Sequence, residues 1–185
     1  MATFIPEWKT ASAREIQIKR VLDALGDDYV VRRPVRAGCP AALFVQHKTL
    51  GWMAIAVSTA TFEEVDGGQL FVSEQREGFE NLVATLQPDM PSLIVMWSCS
   101  TEAARALNRQ FVGCCGARIV SRDQFTSIGP KLIAGMLAPV TAAVEHALLG
   151  TYFPEIEIPL ACTTRGVLRR DNSAGLPRFF LDPDQ

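Results

Sequence analysis

The segment from Ala41 to Ser58, which reads AALFVQHKTLGWMAIAVS, limits the possible folds more than any other part of the chain. It contains two short apolar runs, Leu43–His47 and Trp52–Val57, joined by a turn that ends at Gly51. Alternate side chains of a strand point to opposite faces of a sheet. We therefore predict two strands, the second of which places Trp52, Ala54, Ala56 and Ser58 on one face and Met53, Ile55 and Val57 on the other.

The rest of the chain alternates helical and strand patterns. Ser12 and Glu15 have the spacing of a capping box, so a helix is predicted to begin there and to end at Gly26. Asp66-Gly67-Gly68 indicates a hairpin between two apolar runs. Further strands are predicted at Tyr29–Val35, Ser92–Ser98 and Ala117–Val120, and further helices at Gln75–Leu86, Thr101–Phe111, Gln124–Leu137 and Val140–Leu149.

Charge and composition restrict the classes of function. The net charge of −2 gives no general attraction to nucleic acid, so any contact with DNA requires a local basic patch. The densest such group in the first half is Arg32, Arg33 and Arg36, which could hold a phosphate backbone or could simply guard a solvated strand edge. Residues 1–10 lack the apolar run of a signal peptide, and the five cysteines show no metal-site or disulfide spacing. We therefore predict a cytoplasmic location, without a membrane partner, a metal or another cofactor.

The spacing of the two strands resembles the centre of the PD-(D/E)XK nuclease fold, in particular the nuclease-related (NERD-type) domains. The resemblance implies a restriction-endonuclease-like α/β fold, with a mixed central sheet flanked by helices. It also implies a metal site where an Asp at the start of one strand meets a Glu-x-Lys at the end of the next. In this chain the three positions carry Ala42, Ala56 and Ser58, which supply none of the required charge.

Glu15 has two interpretations. In the resembled nucleases a glutamate of the first helix often points toward the metal site, so Glu15 is a candidate remnant of that site. The alternative is that Glu15 only caps its helix. The chain also lacks a GxxxxGK[ST] phosphate loop, and so has no ATPase motif of its own.

The residues from Thr151 onward show little helical or strand periodicity. We predict that residues 1–150 form the nuclease-like domain, ending in a helical pair, and that residues 151–185 form an extended arm. The arm contains Arg169 and Arg170 as further candidates for DNA contact. Its ending resembles the entry to a superfamily 1 helicase, in which a Leu-x-x-x-Gln segment supplies a glutamine that reads the adenine of ATP. Leu181 and Gln185 occupy those two positions.

Together these patterns predict a non-enzymatic accessory domain of a DNA helicase, which binds DNA or positions the motor. Two alternatives remain at the level of sequence. One is a protein–protein or structural module, with an oligomer formed through the arm. The other is an active metal-dependent nuclease whose ligands have moved to residues such as Glu63, Glu64 or Asp66.

Overall fold

A computed structural model describes residues 1–35, 39, 41–65, 69–72, 76–86, 90–111, 117–153, 167–171 and 178–182 of the 185-residue chain. The chain divides into two compact units. The first comprises Met1–Pro34 and Cys39–Val140, and the second comprises Val35–Gly38 and Thr141–Gln185. The predicted domain boundary after residue 150 remains a prediction.

The first unit contains eight strands and four helices among its described residues. In chain order they are β1 (Thr3–Ile5), α1 (Ala13–Asp23), β2 (Tyr29–Arg32), β3 (Leu43–His47), β4 (Gly51–Ser58), β5 (Phe62–Val65), β6 (Gln69–Val72), α2 (Arg76–Thr85), β7 (Ser92–Met96), α3 (Thr101–Gln110), β8 (Ala117–Ser121) and α4 (Arg122–Met136). The second unit contains α5 (Ala142–Tyr152), β9 (Val167–Asp171) and β10 (Arg178–Asp182).

Six strands of the first unit form one mixed sheet in the order β1-β2-β3-β4-β7-β8. β3 runs antiparallel to both of its neighbours, whereas the other pairs are parallel. β5 and β6 pair separately as an antiparallel hairpin, as the Asp-Gly-Gly sequence predicts. The predicted α/β class, with a mixed sheet flanked by helices, is confirmed.

Helices cover both faces of this sheet because its central strands are apolar on both sides. One buried cluster joins Met53 and Ile55 of β4 to residues of α1 and α4, including Leu22 and Phe125. The other joins Ala56 of β4 to residues of α2 and α3, including Phe79, Val83, Ala104 and Leu107. The sheet therefore has an α1–α4 face and an α2–α3 face.

The start of β4 is fixed by a close backbone contact with the residues that follow α4. Trp52 and Ala138 exchange two backbone hydrogen bonds, with N···O distances of 2.9 and 3.3 Å. Gly51 adopts φ +104°, and a Cβ atom there would lie only 2.0 Å from the Ala138 carbonyl oxygen. Glycine is therefore required at this turn for two independent reasons.

Two paired strands lie within the segment predicted as an extended arm, and the arm itself remains a prediction. β9 and β10 pair as antiparallel strands, with Arg178 opposite Asp171 and Asp182 opposite Val167. The physical reason is the strand preference of VLRRD and RFFLD, which are separated by a stretch that contains Asn172 and Gly175. The predicted helical pair corresponds to α4 and α5, but these helices belong to different units. β2 is also shorter than predicted and ends at Arg32.

The contact between α1 and α4 provides a test of this packing. A Cβ atom on Gly129 of α4 would lie 2.5 Å from Val21 Cγ1 on α1, whereas a Cβ atom on Gly135 would meet nothing within 4 Å. We expect Gly129→Ala to destabilise the protein by roughly 1–3 kcal/mol through overpacking. Gly135→Ala, in the same helix, should stabilise it by about 0.5–1 kcal/mol. Urea unfolding of both variants measures the difference, and equal effects would contradict the close helix contact.

Candidate functional site

A cleft of about 330 Å³ lies at the N-terminal end of α1, beside the start of β3 and the end of β4. Its walls come from four separate parts of the first unit, so only the fold brings them together. Its lining residues are Trp8, Arg14, Glu15, Ile18, Arg33, Ala42, Leu43, Val57 and Thr59. This cleft contains two of the residues predicted from the resemblance, Ala42 and Glu15, and one of the predicted basic residues, Arg33.

The carboxylate of Glu15 is held mainly by the backbone that precedes α1. Glu15 Oε2 accepts hydrogen bonds from the Ala11 and Ser12 amides at 2.7 and 3.1 Å. In return, Ser12 Oγ accepts a hydrogen bond from the Glu15 amide at 3.2 Å, which completes the capping box. The helix cap predicted from the sequence is therefore confirmed, and one carboxylate oxygen is committed to it.

The other carboxylate oxygen of Glu15 faces Arg33. Arg33 Nη2 lies 3.8 Å from Glu15 Oε1, and both side chains are about a third exposed or less. The pKa of Glu15 is lowered, first by the hydrogen bond from the Ala11 amide, then by that from Ser12, by the Arg33 charge and by the Trp8 indole, while partial burial opposes the shift. Glu15 is therefore a stable anion that already has several partners.

Trp8 forms the apolar wall of the cleft. Its side chain is buried, and the Arg33 guanidinium lies 5.0 Å from the centre of its ring, which is within the range of a cation–π interaction. Its Nε1–H makes no hydrogen bond of normal geometry with the described part of the chain. The ring therefore supports Arg33 and is not available as a surface on which a base could stack.

The strand register corrects the predicted meeting of Ala42, Ala56 and Ser58. Ala56 is fully buried in the α2–α3 cluster, and Ser58 pairs with Met96 of that same cluster. Their side chains therefore point away from Glu15, which lies on the α1–α4 face. The residues of β4 and its extension that line the cleft with Ala42 are instead Val57 and Thr59. Ala42 lies just before β3, so the alternation of side chains along that strand does not determine which face Ala42 occupies.

The predicted basic residues are not brought to one place. Arg32 points to the sheet face opposite the cleft, where it donates two hydrogen bonds to Gln46 Oε1 at 3.2 and 3.1 Å and lies over the Trp52 ring. Arg36 and Gln185 lie outside the described residues. Arg169 and Arg170 lie on β9 in the second unit, and their side chains are not described.

Sequence reasoning missed two residues of the cleft, Arg14 and Thr59. Arg14 is exposed, directly follows the first residue of α1, and makes no ion pair with any residue that the structure describes. The only signal for it was its place beside Glu15 in the capping box. Thr59 gave no signal, because its position depends on how β4 leaves the sheet.

Within the described ranges, no three His, Cys, Asp or Glu side chains lie close enough together to hold a metal ion. The cleft itself contributes one carboxylate, from Glu15, and no histidine or cysteine. Its side-chain donors are the two guanidinium groups, the Thr59 hydroxyl and the Trp8 Nε1–H. Guanidinium and hydroxyl groups bind oxyanions. In the same described ranges, no helix has the length and apolar character needed to cross a membrane.

The lowered pKa of Glu15 predicts a specific pH dependence. The pKa of Glu15 in the folded protein lies below its ordinary value of 4.5, so ionised Glu15 stabilises the fold. This contribution to the free energy of unfolding is present above pH 4.5 and is lost as the pH falls through the folded pKa. Glu15→Gln should therefore lower the urea midpoint at neutral pH. The difference from the parent chain should shrink as the pH falls through the folded pKa of Glu15, because both side chains are neutral below it.

Glu102→Gln provides the control for this measurement. Glu102 also lies in the first turn of a helix, α3, but no residue of the described chain forms an ion pair with it. The control should change the midpoint less at neutral pH. An effect of Glu15→Gln that stays constant from neutral to acid pH would show that the charge does not stabilise the fold.

Known proteins give no direct guide to this cleft. No family model, no curated protein and no solved structure matches the chain. The functional interpretation therefore depends on the chemistry of the cleft, in which Arg14 and Arg33 provide two positive charges and Glu15 one negative charge.

Proposed function

We propose that this chain is a non-catalytic DNA-binding module built on a nuclease-like scaffold, and that it serves an attached helicase motor. The cleft beside α1 holds a phosphate of the DNA backbone through Arg14 and Arg33. The observation that carries the proposal is that the guanidinium groups of Arg14 and Arg33 line this cleft together with a single carboxylate, that of Glu15. DNA as the partner fits the cytoplasmic location predicted from the sequence.

The placement of the cleft supports the nuclease-like scaffold. In the resembled family, the start of one strand, the end of the next strand and the first helix meet around the metal. Here Ala42 precedes β3, Val57 lies near the end of β4, and Glu15 belongs to α1, and all three line one cleft. The alternate positions that face the cleft are Val57 and Thr59, which match the Glu-x-Lys spacing of the family.

The side chains of the cleft support a function without catalysis. A metal-dependent nuclease of this type needs two carboxylates and a lysine. Ala42, Val57 and Thr59 offer one hydroxyl group and no charge. Glu15 is committed to two backbone amides and to Arg33, so it would have to leave these partners to bind a metal.

The charge of the cleft supports binding of a phosphate. Arg14 and Arg33 outnumber Glu15, and Arg33 is held in place by the face of Trp8. A guanidinium group can donate two parallel hydrogen bonds to phosphate oxygens. A phosphate entering the cleft would take over the long contact of Arg33 to Glu15, while Glu15 would keep its two hydrogen bonds to backbone amides.

The helicase context is the second part of the proposal. It relies on Leu181 and Gln185 and on the family resemblance. Leu181 lies in β10, paired with Leu168 of β9, and Gln185 lies outside the described residues. The reading frame after Gln185 tests this part directly, since a Walker A motif within about 50 residues is expected and its absence from the natural gene would contradict it.

Binding and cleavage assays test the function of the cleft. We expect the chain to bind a fluorescent DNA duplex in a salt-dependent manner. Arg14→Ala and Arg33→Ala should each weaken binding about 5- to 30-fold, which corresponds to roughly 1–2 kcal/mol for one charged contact. We expect no cleavage of plasmid DNA with magnesium or manganese, because the cleft lacks the required carboxylates.

Arg105→Ala is the matched control for the binding assay, since Arg105 is exposed on α3, on the other face of the sheet. Thermal melting shows whether each variant is folded. Equal binding by all three variants would contradict the cleft as the DNA site. Cleavage that depends on manganese and disappears in a Glu15→Ala or Glu63→Ala variant would instead support the active nuclease.

Introducing the Asp, Glu and Lys of the resembled family at the cleft tests whether the scaffold is nuclease-like. The variant Ala42→Asp, Val57→Glu, Thr59→Lys puts all three charges on the cleft, and we expect it to bind Mn²⁺ in calorimetry. The control variant is Ala42→Asp, Ala56→Glu, Ser58→Lys. It should bind no Mn²⁺ and should be much less stable, because Ala56 is fully buried and a charge there lacks a partner. A folded first variant without Mn²⁺ binding would contradict the nuclease-like geometry.

A further inference from the structure

A second depression lies on the other flank of α1, between α1 and α4. This groove has a volume of about 770 Å³, and it is lined mainly by polar and charged side chains. Gln17 and Arg20 form its α1 wall, whereas Arg122, Thr126 and Ser127 contribute to its α4 wall. The close contact of Val21 with Gly129 holds the two helices together beside it.

The donors of the groove are its two arginines and the Gln17 amide. Thr126 Oγ1 and Ser127 Oγ each donate a hydrogen bond to the Asp123 carbonyl oxygen, at 3.1 and 2.7 Å. These hydroxyl protons are therefore already in use. Arg122 contacts the neighbouring Asp123 carboxylate at 3.1 Å, but both side chains remain largely exposed, so the pair is well hydrated and open to exchange.

α1 forms a ridge between the cleft and the groove, because its residues line both. Glu15 faces the cleft and Gln17 faces the groove, and two successive steps of 100° place them about 200° apart around the helix axis. The crest between them carries Ile16 and Asp23 near its centre, with Lys19 toward the cleft and Ala13 and Arg20 toward the groove. Basic side chains lie on both sides of this crest: Arg14 and Arg33 in the cleft, and Arg20 and Arg122 in the groove.

The layer that contains this ridge is also the more basic one. α1 and α4 together carry five basic and three acidic residues, whereas α2 and α3 carry three of each. The net charge of the whole chain is −2, so this excess is local. The α1 and α4 helices therefore attract a polyanion more strongly than α2 and α3 do.

We infer that α1 lies along the major groove of duplex DNA, with the phosphates of one strand at the cleft and those of the other strand at the α1–α4 groove. An α-helix with its side chains is about 10–12 Å wide, and the major groove of B-DNA is about 12 Å wide. Arginines on both flanks of one helix fit the two backbones that border such a groove. This inference rests on the proposed function and specifies its ligand as duplex DNA.

Salt titration of DNA binding tests this inference with the full chain. The probe is a labelled 20-base-pair duplex, and its labelled single strand is measured in parallel. The test variant is Arg20→Gln with Arg122→Gln. The control is Arg105→Gln with Arg109→Gln on α3, which removes the same number of exposed charges from the other face. Thermal melting establishes that all variants are folded.

We expect the duplex to bind at least about 10-fold more tightly than the single strand. The test variant should reduce the slope of log K against log salt concentration by about 1–2, since each lost phosphate contact contributes about 0.9. The control pair should leave the slope unchanged. An unchanged slope for the test variant, or tighter binding of the single strand, would overturn the inference.

The same data separate this inference from the proposed function. If Arg14→Ala and Arg33→Ala weaken binding but the groove variant has the parent slope, the cleft binds DNA and the inference about α1 is wrong. If the cleft variants bind like the parent chain and the groove variant does not, the cleft function is wrong. In that case the two-sided placement of α1 is also overturned, because it requires phosphates on both flanks.

Discussion

The burial of β4 on both faces is the constraint on which the rest of the first unit depends. From Trp52 to Ala56 every residue of this strand is at most 2% exposed. Fully burying a large apolar side chain contributes about 1.5–3 kcal/mol, so a sheet with two apolar faces must be covered on both. α1 with α4 and α2 with α3 meet this need. The position of α1 then fixes the cleft at its N-terminal end.

Backbone contacts at the ends and edge of the sheet keep this arrangement in register. Gly51 allows the Ala138 carbonyl to approach the start of β4, and the Trp52–Ala138 hydrogen bonds hold it there. On the outer strand, the Ile119 amide donates a hydrogen bond to Asn108 Oδ1 at 2.9 Å. Asn108 therefore occupies the Ile119 amide, which could otherwise pair with a strand of another chain. Covering such groups on an edge strand prevents edge-to-edge pairing.

Local signals in the sequence predicted most of the helices and strands of the first unit. The capping box at Ser12 and Glu15, and the apolar run of β7, are short-range patterns, and both are present in the structure. The site was less predictable, because its residues come together only through the fold. Ala42 lies outside β3, so its position could not be predicted by counting along that strand. The resemblance placed Ala56 and Ser58 beside Ala42, but their side chains point to the opposite face of the sheet. Arg32 and Arg33 are adjacent in sequence but separate at the end of β2, because only Arg33 leaves the strand toward α1.

Hydrogen exchange of backbone amides, compared with and without a DNA duplex, tests the central claim most directly. We expect the added protection on Ala13–Asp23 of α1 and on residues around Arg33, Ala42 and Arg122. Thr101–Gln110 of α3, on the other face of the sheet, should exchange as in the free protein. Protection confined to α2 and α3, or to the second unit, would contradict the placement of the DNA site beside α1.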